Sequence, residues 1–280
     1  MSNHLPRFFE LKSPPRHTIG NNRQSPSTPS KRVGRTANIR NGRFVAPMDR
    51  RQTETPGIDW ARYPIPRVRH HANPQLYMPA SQQHVIAPWY PPTREQAQWD
   101  EWFANGAPAN VLDLGCGRGA FLLHHAFTFP NLNILGIEVR SVLAEYINEV
   151  ARGEQLGNAH AEWYTLANGL EWIEPESVDY AVYLFPDPWP KKRHHKRRAF
   201  TADFLGVVHR VLKPGGRLWL ATDRPDVDAY QREVIDASPL FELGPLEDDA
   251  TWPFGFRTDQ QLFCDAKGIP YVRYSAIRRP

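Results

Sequence analysis

The sequence predicts an α/β fold on a mostly parallel β-sheet covered by helices on both faces. Three observations lead there. From about Asn110 onward, short apolar runs alternate with stretches of helical periodicity. The first apolar run ends in a glycine cluster, and the later segments are punctuated by Pro and Gly. Strands separated by helical patterns imply βαβ units with right-handed crossovers.

The elements follow in order. Trp99 and Trp102 lie on a helix before the first strand, Val111–Leu114. Phe121–Phe129 is an apolar helix closed by Pro130, and Ile134–Ile137 is the second strand. Ser141 is placed to cap a helix through Glu149, with Val142, Tyr146 and Val150 on one face. Ala161–Leu166 and Val178–Phe185 are further strands. Thr201 caps a helix over Ala202–Leu212, where Phe204, Val207, Val208, Val211 and Leu212 recur at helical spacing. Lys213-Pro214-Gly215-Gly216 stops it in a turn, and the strand Arg217–Thr222 follows. Phe241–Leu246 and Tyr271–Ala276 read as strands with no long helix between them, suited to an antiparallel pair at one sheet edge.

Length and charge divide the chain. Its 280 residues suit one large domain or two small ones, at roughly 100–200 residues each. No apolar run approaches the ~20 residues of a membrane-spanning helix. Residues 1–58 carry eleven Lys/Arg and three acids, a net 11 − 3 = +8. The remainder carries (34 − 11) − (30 − 3) = −4. This first stretch has seven prolines and only Phe8, Phe9 and Phe44 as aromatics, too little apolar surface to offset ordering entropy. It is expected to be a disordered basic tail before a domain over 59–280. Its readings are a solvated extension with weak help in polyanion binding, a nucleic-acid arm, or a transit peptide, against which the prolines argue. Two cysteines, Cys116 and Cys264, make neither a disulfide framework nor a four-cysteine zinc site, and point to a reducing, cytoplasmic setting.

The first strand runs into Asp113-Leu114-Gly115-Cys116-Gly117-Arg118-Gly119. Glycines there allow a tight turn and close ligand approach to main-chain N–H groups. Nineteen residues after Gly119, the second strand ends at Glu138, where a carboxylate can accept hydrogen bonds from both hydroxyls of a ribose. The loop is Gly-x-Gly-x-Gly rather than the dinucleotide pattern, and Asp113 suits a cation rather than a pyrophosphate. S-adenosylmethionine, with its sulfonium and amino group, is therefore the expected cofactor. Cys116 reads as a small loop residue rather than a reactive thiol.

The fourth strand leads into Phe185-Pro186-Asp187-Pro188-Trp189-Pro190, then Lys191-Lys192-Arg193-His194-His195-Lys196-Arg197-Arg198. Asp187 is held between two prolines, Trp189 offers a stacking face, and six cations in eight residues suit phosphates. An aromatic, a carboxylate and cations together suit recognition of a purine in a polyanion. The paired histidines His70-His71, His124-His125 and His194-His195 lack spacing that completes a metal site, so no metal is expected.

These blocks, with Gly136-Ile137-Glu138-Val139-Arg140, Leu212-Lys213-Pro214-Gly215-Gly216 and Ala221-Thr222-Asp223, resemble the tRNA (guanine-N7-)-methyltransferases of the bacterial TrmB type. Arg69-His70-His71-Ala72-Asn73-Pro74 looks like that family's opening segment. The resemblance runs from about Arg67 to the C-terminus and leaves out residues 1–58. It implies a class I S-adenosylmethionine-dependent methyltransferase (Rossmann-like) fold, with seven mostly parallel strands and an antiparallel C-terminal edge. It implies methyl transfer to N7 of a guanosine in the tRNA variable loop.

Carried over by position, the resemblance makes Asp187 catalytic and also a cofactor contact. Asp113, Gly115, Gly117, Glu138 and Asn168 would hold the cofactor, with Thr165 as the ungapped alternative to Asn168. Lys191, Asp223, Thr258 and Gln261 would hold tRNA, and the basic run, with Arg193, Lys196 and Arg197, is expected to hold its phosphates. The family has Thr-x-x-Glu where this chain reads Thr258-Asp259-Gln260-Gln261, so Gln261 replaces an acid. A methyltransferase acting on a small molecule or a protein is disfavoured by the basic run, and a silent RNA-binding subunit by the presence of both Asp113 and Glu138. No exposed apolar stripe is evident, which favours a monomer, with a homodimer as the alternative.

Overall fold

The computed structural model describes residues 39–40, 43–44, 57–68, 72–187 and 199–280. The chain divides into two units, 1–48 and 49–280. Of the first, only Ile39–Arg40 and Arg43–Phe44 are described, and they pair antiparallel. The rest of the expected tail through residue 56 lies outside the described residues.

The second unit is a seven-stranded sheet. Its strands are β1 (Val111–Leu114), β2 (Ile134–Glu138), β3 (Ala159–Trp163), β4 (Val178–Leu184), β5 (Leu212–Thr222), β6 (Phe241–Leu246) and β7 (Val272–Arg278). Their spatial order is β3-β2-β1-β4-β5-β7-β6. The first five run parallel, with Leu112 beside Leu135 on one side and Ala181 on the other. β7 inserts antiparallel between β5 and β6, with Leu220 opposite Tyr274. The parallel sheet with an antiparallel C-terminal edge is the class I methyltransferase sheet that the sequence implied.

Alternation along the strands builds two cores. Leu112 and Leu114 face one side with Leu135, Ile137, Ala181 and Leu220. Helix α1 (Trp99–Trp102), α4 (Ala202–Val211) and α5 (Pro225–Asp236) cover that side through Trp99, Trp102, Phe204, Leu205, Val208 and Ile235. Val111, Ile134 and Val182 face the other side, against α2 (Ala120–Thr128), α3 (Ser141–Gly153) and the aromatics Trp252, Phe254 and Phe256. Burial on both faces explains why the parallel strands read as continuous apolar runs instead of alternating ones.

Local chemistry sets most boundaries. Thr201 caps α4 as expected, its hydroxyl accepting from Phe204 N at 3.1 Å. Ser141 does not cap α3; the capping position is Arg140, and no side chain bonds the first turn. The buried face of α3 is Leu143, Ala144, Tyr146, Ile147, Val150 and Ala151, while Val142 is 47% exposed. Tyr146 and Val150 lie on the buried face as expected and Val142 does not, because Leu143 and Ile147 continue the stripe of Val150 at the 3- and 4-residue spacing of a helix. Residues Lys213–Gly216, expected as a turn, lie inside β5; Gly215 has φ 76 and the register with β4 slips between Val178 and Tyr180, so the turn chemistry becomes an irregularity of a strand.

Helix α6 (Asp259–Lys267) separates β6 from β7, where no long helix was expected. Its nine residues carry a full capping box. Thr258 Oγ1 accepts from Gln261 N at 3.1 Å, and Gln261 Oε1 accepts from Thr258 N at 2.9 Å.

Gly136 in β2 lies against the glycine loop. A Cβ there would stand 2.6 Å from Cys116 Sγ and closer still to Leu122. Gly136→Ala is expected to destabilise the fold by about 1–3 kcal/mol through overpacking. The urea midpoint, at unchanged m-value, measures this; an unchanged midpoint contradicts the packing.

Candidate active site

The functional residues gather at the carboxyl ends of the parallel strands, on either side of β1 where the strand order reverses. Open α/β sheets bind ligands at this edge. Asp113 is the third residue of β1, Glu138 the last of β2, and Asp223 follows β5. Leu166–Asn168, flanked by Thr165 and Gly169, forms a 3-10 turn just beyond β3, and Asp187 sits three residues beyond β4.

The glycine loop turns from β1 into α2. Gly115, Gly117 and Gly119 have φ of 81, 58 and 77°, the left-handed region that glycine adopts without a steric cost. A Cβ at Gly115 would meet nothing within 4 Å, so the main chain there is open to a ligand. At Gly119 a Cβ would meet Ile147 at 2.6 Å, so that glycine serves the close contact of loop and α3. Cys116 is buried and its thiol is pushed well up by burial, then by Asp113 and Glu138, which supports its reading as a small packing residue.

The two acids expected to hold the cofactor differ in their bonding. Glu138 is 3% exposed and accepts from Gly117 N at 2.9 Å. It also accepts from Arg140 N at 3.0 Å, Nε at 2.7 Å and Nη2 at 3.2 Å. Asp113 is as buried, but its Oδ2 has no hydrogen-bond partner among the described residues. Burial pushes the Asp113 carboxyl up to about 8, with Glu138 and then Asp259 adding to the rise. An orphaned buried carboxylate oxygen calls for a cation or a donor.

Asn168 Oδ1 accepts from Ala80 N at 2.8 Å and Tyr90 OH at 3.0 Å, whereas its Nδ2 is buried without a partner. Thr165, the alternative, is 1% exposed and donates its hydroxyl to Leu76 O at 2.6 Å. Both therefore anchor the segment 73–90, and of the two only Asn168 keeps an unused buried polar atom. An open glycine main chain, an orphaned acid oxygen and an orphaned amide donor fit a cationic nucleoside such as S-adenosylmethionine.

Asp187 follows Phe185, which has φ 50 although it is neither Gly nor Asn. Phe185 is held there by its N–H on Ala221 O at 2.8 Å and by a ring contact with Tyr271. Such a backbone costs on the order of 1–3 kcal/mol and persists only when its surroundings hold it. Asp187 Oδ2 accepts from Tyr77 OH at 2.8 Å.

Of the residues expected to hold tRNA, Asp223 accepts at Oδ2 from Gln260 Nε2 at 3.0 Å. Thr258 and Gln261 are buried in the capping box, so Gln261 Oε1 is committed to the helix start, while its Nε2 has no partner. Lys191, Arg193, Lys196, Arg197 and Trp189 lie outside the described residues, as do His70, His71, His194 and His195. The described pair is structural: His125 bonds Tyr180 OH in the core, where burial drives its pKa down to about 3, and His124 stacks on Phe256.

Three site residues went unread in the sequence. Tyr77 reaches Asp187 from 110 positions away. Arg140 grips Glu138; it stood in the quoted motif without a role. Asp259 opens α6 half-buried, its carboxyl pushed up by burial and pulled back by Arg118 of the glycine loop. The Thr258-x-x-Gln261 spacing is a capping-box signature, the one signal that could have placed α6 and Asp259.

Residues 108–253 match the model of a family described as putative methyltransferase. A tRNA (guanine-N(7)-)-methyltransferase from Synechococcus elongatus is 31% identical over 218 residues, covering 76% of this chain and 97% of that protein. One of the same description from Thermosynechococcus vestitus is 35% identical over 215 residues, covering 76% of this chain and 96% of its own. With those motifs in place at the strand ends, the chain belongs to the tRNA (guanine-N(7)-)-methyltransferase family.

Proposed function

We propose that this protein transfers the methyl group of S-adenosylmethionine to N7 of a guanosine in the variable loop of tRNA, using Asp187 to orient the base. The observation that carries this reading is the placement of Asp113, Glu138 and Asp187 at the carboxyl ends of β1, β2 and β4, around one glycine loop.

When bound, S-adenosylmethionine supplies an electrophilic methyl on a sulfonium. Asp113 meets the cationic end of that ligand with the Oδ2 that has no protein partner. Glu138 receives the ribose hydroxyls, and for this Arg140 must yield part of its hold, since a carboxylate offers about four acceptor sites and Glu138 already takes four donor contacts. Asn168 Nδ2 donates to a ring nitrogen of the adenine, its Oδ1 being committed to Ala80 and Tyr90.

Guanine N7 carries a lone pair and no proton at neutral pH, so no general base is needed. The protein's task is orientation and near-attack distance. Asp187 accepts from guanine N1–H and the 2-amino group, aims N7 at the methyl, and offsets the positive charge that develops on the purine. Adenine lacks that donor pair and is disfavoured. Asp223, with Gln260 on its Oδ2, borders the same cleft on the tRNA side. The cations of 191–198 hold phosphates, the basic tail adds weak electrostatic affinity, and the enzyme acts as a monomer. Among the described residues no helix is long and apolar enough to cross a membrane.

Incubation of the purified chain with bulk tRNA and S-adenosylmethionine, then nucleoside analysis, is expected to yield 7-methylguanosine. Its absence, with cofactor binding intact, overturns the reading. Activity is also expected to fall as salt rises from 50 to 200 mM.

A further inference from the structure

Glu138 closes β2 with a carboxylate whose acceptor sites are all in use. A carboxylate offers about four, two on each oxygen. On Oε1 one is filled by Arg140 N at 3.0 Å and the other by Arg140 Nε at 2.7 Å. On Oε2 one is filled by Gly117 N at 2.9 Å and the other by Arg140 Nη2 at 3.2 Å. These contacts are of two kinds. Each oxygen takes one main-chain N–H, from the glycine loop or from the residue that precedes α3, so the carboxylate is fixed without any side chain. The guanidinium then adds one further donor to each oxygen, in the two-pronged geometry that suits a carboxylate. The Glu138 side chain is buried, whereas that of Arg140 is 28% exposed, so the guanidinium has a way out to solvent and the carboxylate has none.

We propose that in the free protein the Arg140 guanidinium occupies the seat of the cofactor's ribose, and that binding exchanges this fork for the two ribose hydroxyls. This rests on the reading of Glu138 as the ribose ligand made above. A vicinal diol also presents two donors side by side, and it needs one acceptor site on each oxygen. Those are the two sites the fork holds, and the main-chain contacts stay in place. A guanidinium keeps its charge at any working pH, so proton loss does not clear the seat and only a competing ligand does. The exchange trades an ion pair for neutral hydrogen bonds, which lowers the affinity of every ligand that carries the diol. After methyl transfer the same fork competes for Glu138 again and favours departure of S-adenosylhomocysteine. Arg140 thus sets cofactor and product affinity from inside the site. The opposite role, a clamp that orients Glu138 for the ribose, is redundant, because Gly117 N and Arg140 N already hold both oxygens.

The test is Arg140→Met, which keeps a long side chain and removes the fork while the main-chain N–H at 140 remains. Calorimetry on the full chain is expected to show S-adenosylhomocysteine bound about 3- to 10-fold more tightly than by wild type, the scale of one recovered hydrogen bond. The 2′,3′-dideoxy analogue of that ligand has no diol to seat, and its affinities for the two proteins are expected to agree within about two-fold. Removal of a positive charge near a cationic ligand would instead tighten both ligands alike. Arg140→Lys keeps the charge but cannot span both oxygens, so its affinity is expected between those of wild type and Arg140→Met, and it carries the test if the Met variant does not fold. Binding of S-adenosylhomocysteine that is unchanged or weaker in these variants, or equal tightening of both ligands, overturns the exchange. Glu138→Gln is expected to weaken S-adenosylhomocysteine binding by about 10-fold. If it does not, the reading of Glu138 falls and the exchange with it. A weakened Glu138→Gln beside an Arg140→Met no tighter than wild type sinks the exchange alone.

Discussion

Asp187→Ala is expected to slow methyl transfer to tRNA by about 10²- to 10³-fold while leaving S-adenosylmethionine affinity within a few-fold of wild type. The magnitude is that of removing one preorganised electrostatic partner of a developing charge. In the free enzyme Asp187 already bonds Tyr77 at 2.8 Å and follows the strained Phe185, so its geometry is set before substrate arrives. Asp187→Asn is a sharper probe. It keeps the shape but replaces one acceptor oxygen with an NH₂ group, which meets guanine N1–H or the 2-amino group donor to donor. Its rate is expected to fall nearly as far as that of the alanine variant. Unchanged single-turnover rates in both variants would remove Asp187 from the reaction.

The second large effect concerns Asp113. Asp113→Asn is expected to weaken S-adenosylmethionine binding by about 10- to 100-fold, the equivalent of roughly 1.5–3 kcal/mol for a lost charge-assisted contact. The pH dependence has a definite sign. Burial pushes the Asp113 carboxyl up to about 8, so in the free protein it holds its proton below that pH. A cationic ligand prefers the ionised form, so binding expels the proton. Wild-type affinity should therefore rise as pH climbs from about 6 to about 8 and level off above. Calorimetry in buffers of different ionisation enthalpy should register the released proton, and Asp113→Asn should abolish both effects. The linked stability runs the opposite way. A carboxyl whose folded pKa exceeds the ordinary ~3.9 binds its proton more tightly when folded, so this group's contribution falls between about pH 4 and pH 8. The Asn variant, carrying no charge to bury, should lose less thermal stability than wild type over that interval. Wild-type affinity that is flat from pH 6 to 8 would contradict the assignment.

Several elements were legible because their signals are local. Val111–Leu114, Ile134 onward and Val178 onward are short apolar runs, the first and last closed by Gly or Pro, and each became a strand with its end within a residue or two of the expected one. Thr201 three residues before Phe204 is a capping signal that needs no knowledge of the rest of the fold. Helix α6 was missed although its signal is equally local. The Thr258-x-x-Gln261 spacing fits both the family's substrate contact and a capping box, and in the folded chain it is the capping box. Val142 was set on the wrong face because a three-residue stripe fits more than one helical phase, and only the sheet beneath it selects one.

By itself the sequence determined a parallel α/β sheet, a glycine loop backed by two acids, and a proline-flanked aspartate just past a strand end. Those follow from period, punctuation and spacing, which are properties of short windows. Only the tertiary structure decided that Arg140 closes on Glu138, that Asn168 spends its oxygen on the segment 73–90, and that Tyr77 bonds Asp187. Each of these depends on which side chains the finished sheet brings within about 3 Å, and hydrogen bonds of that length carry no trace in residues 110 positions apart.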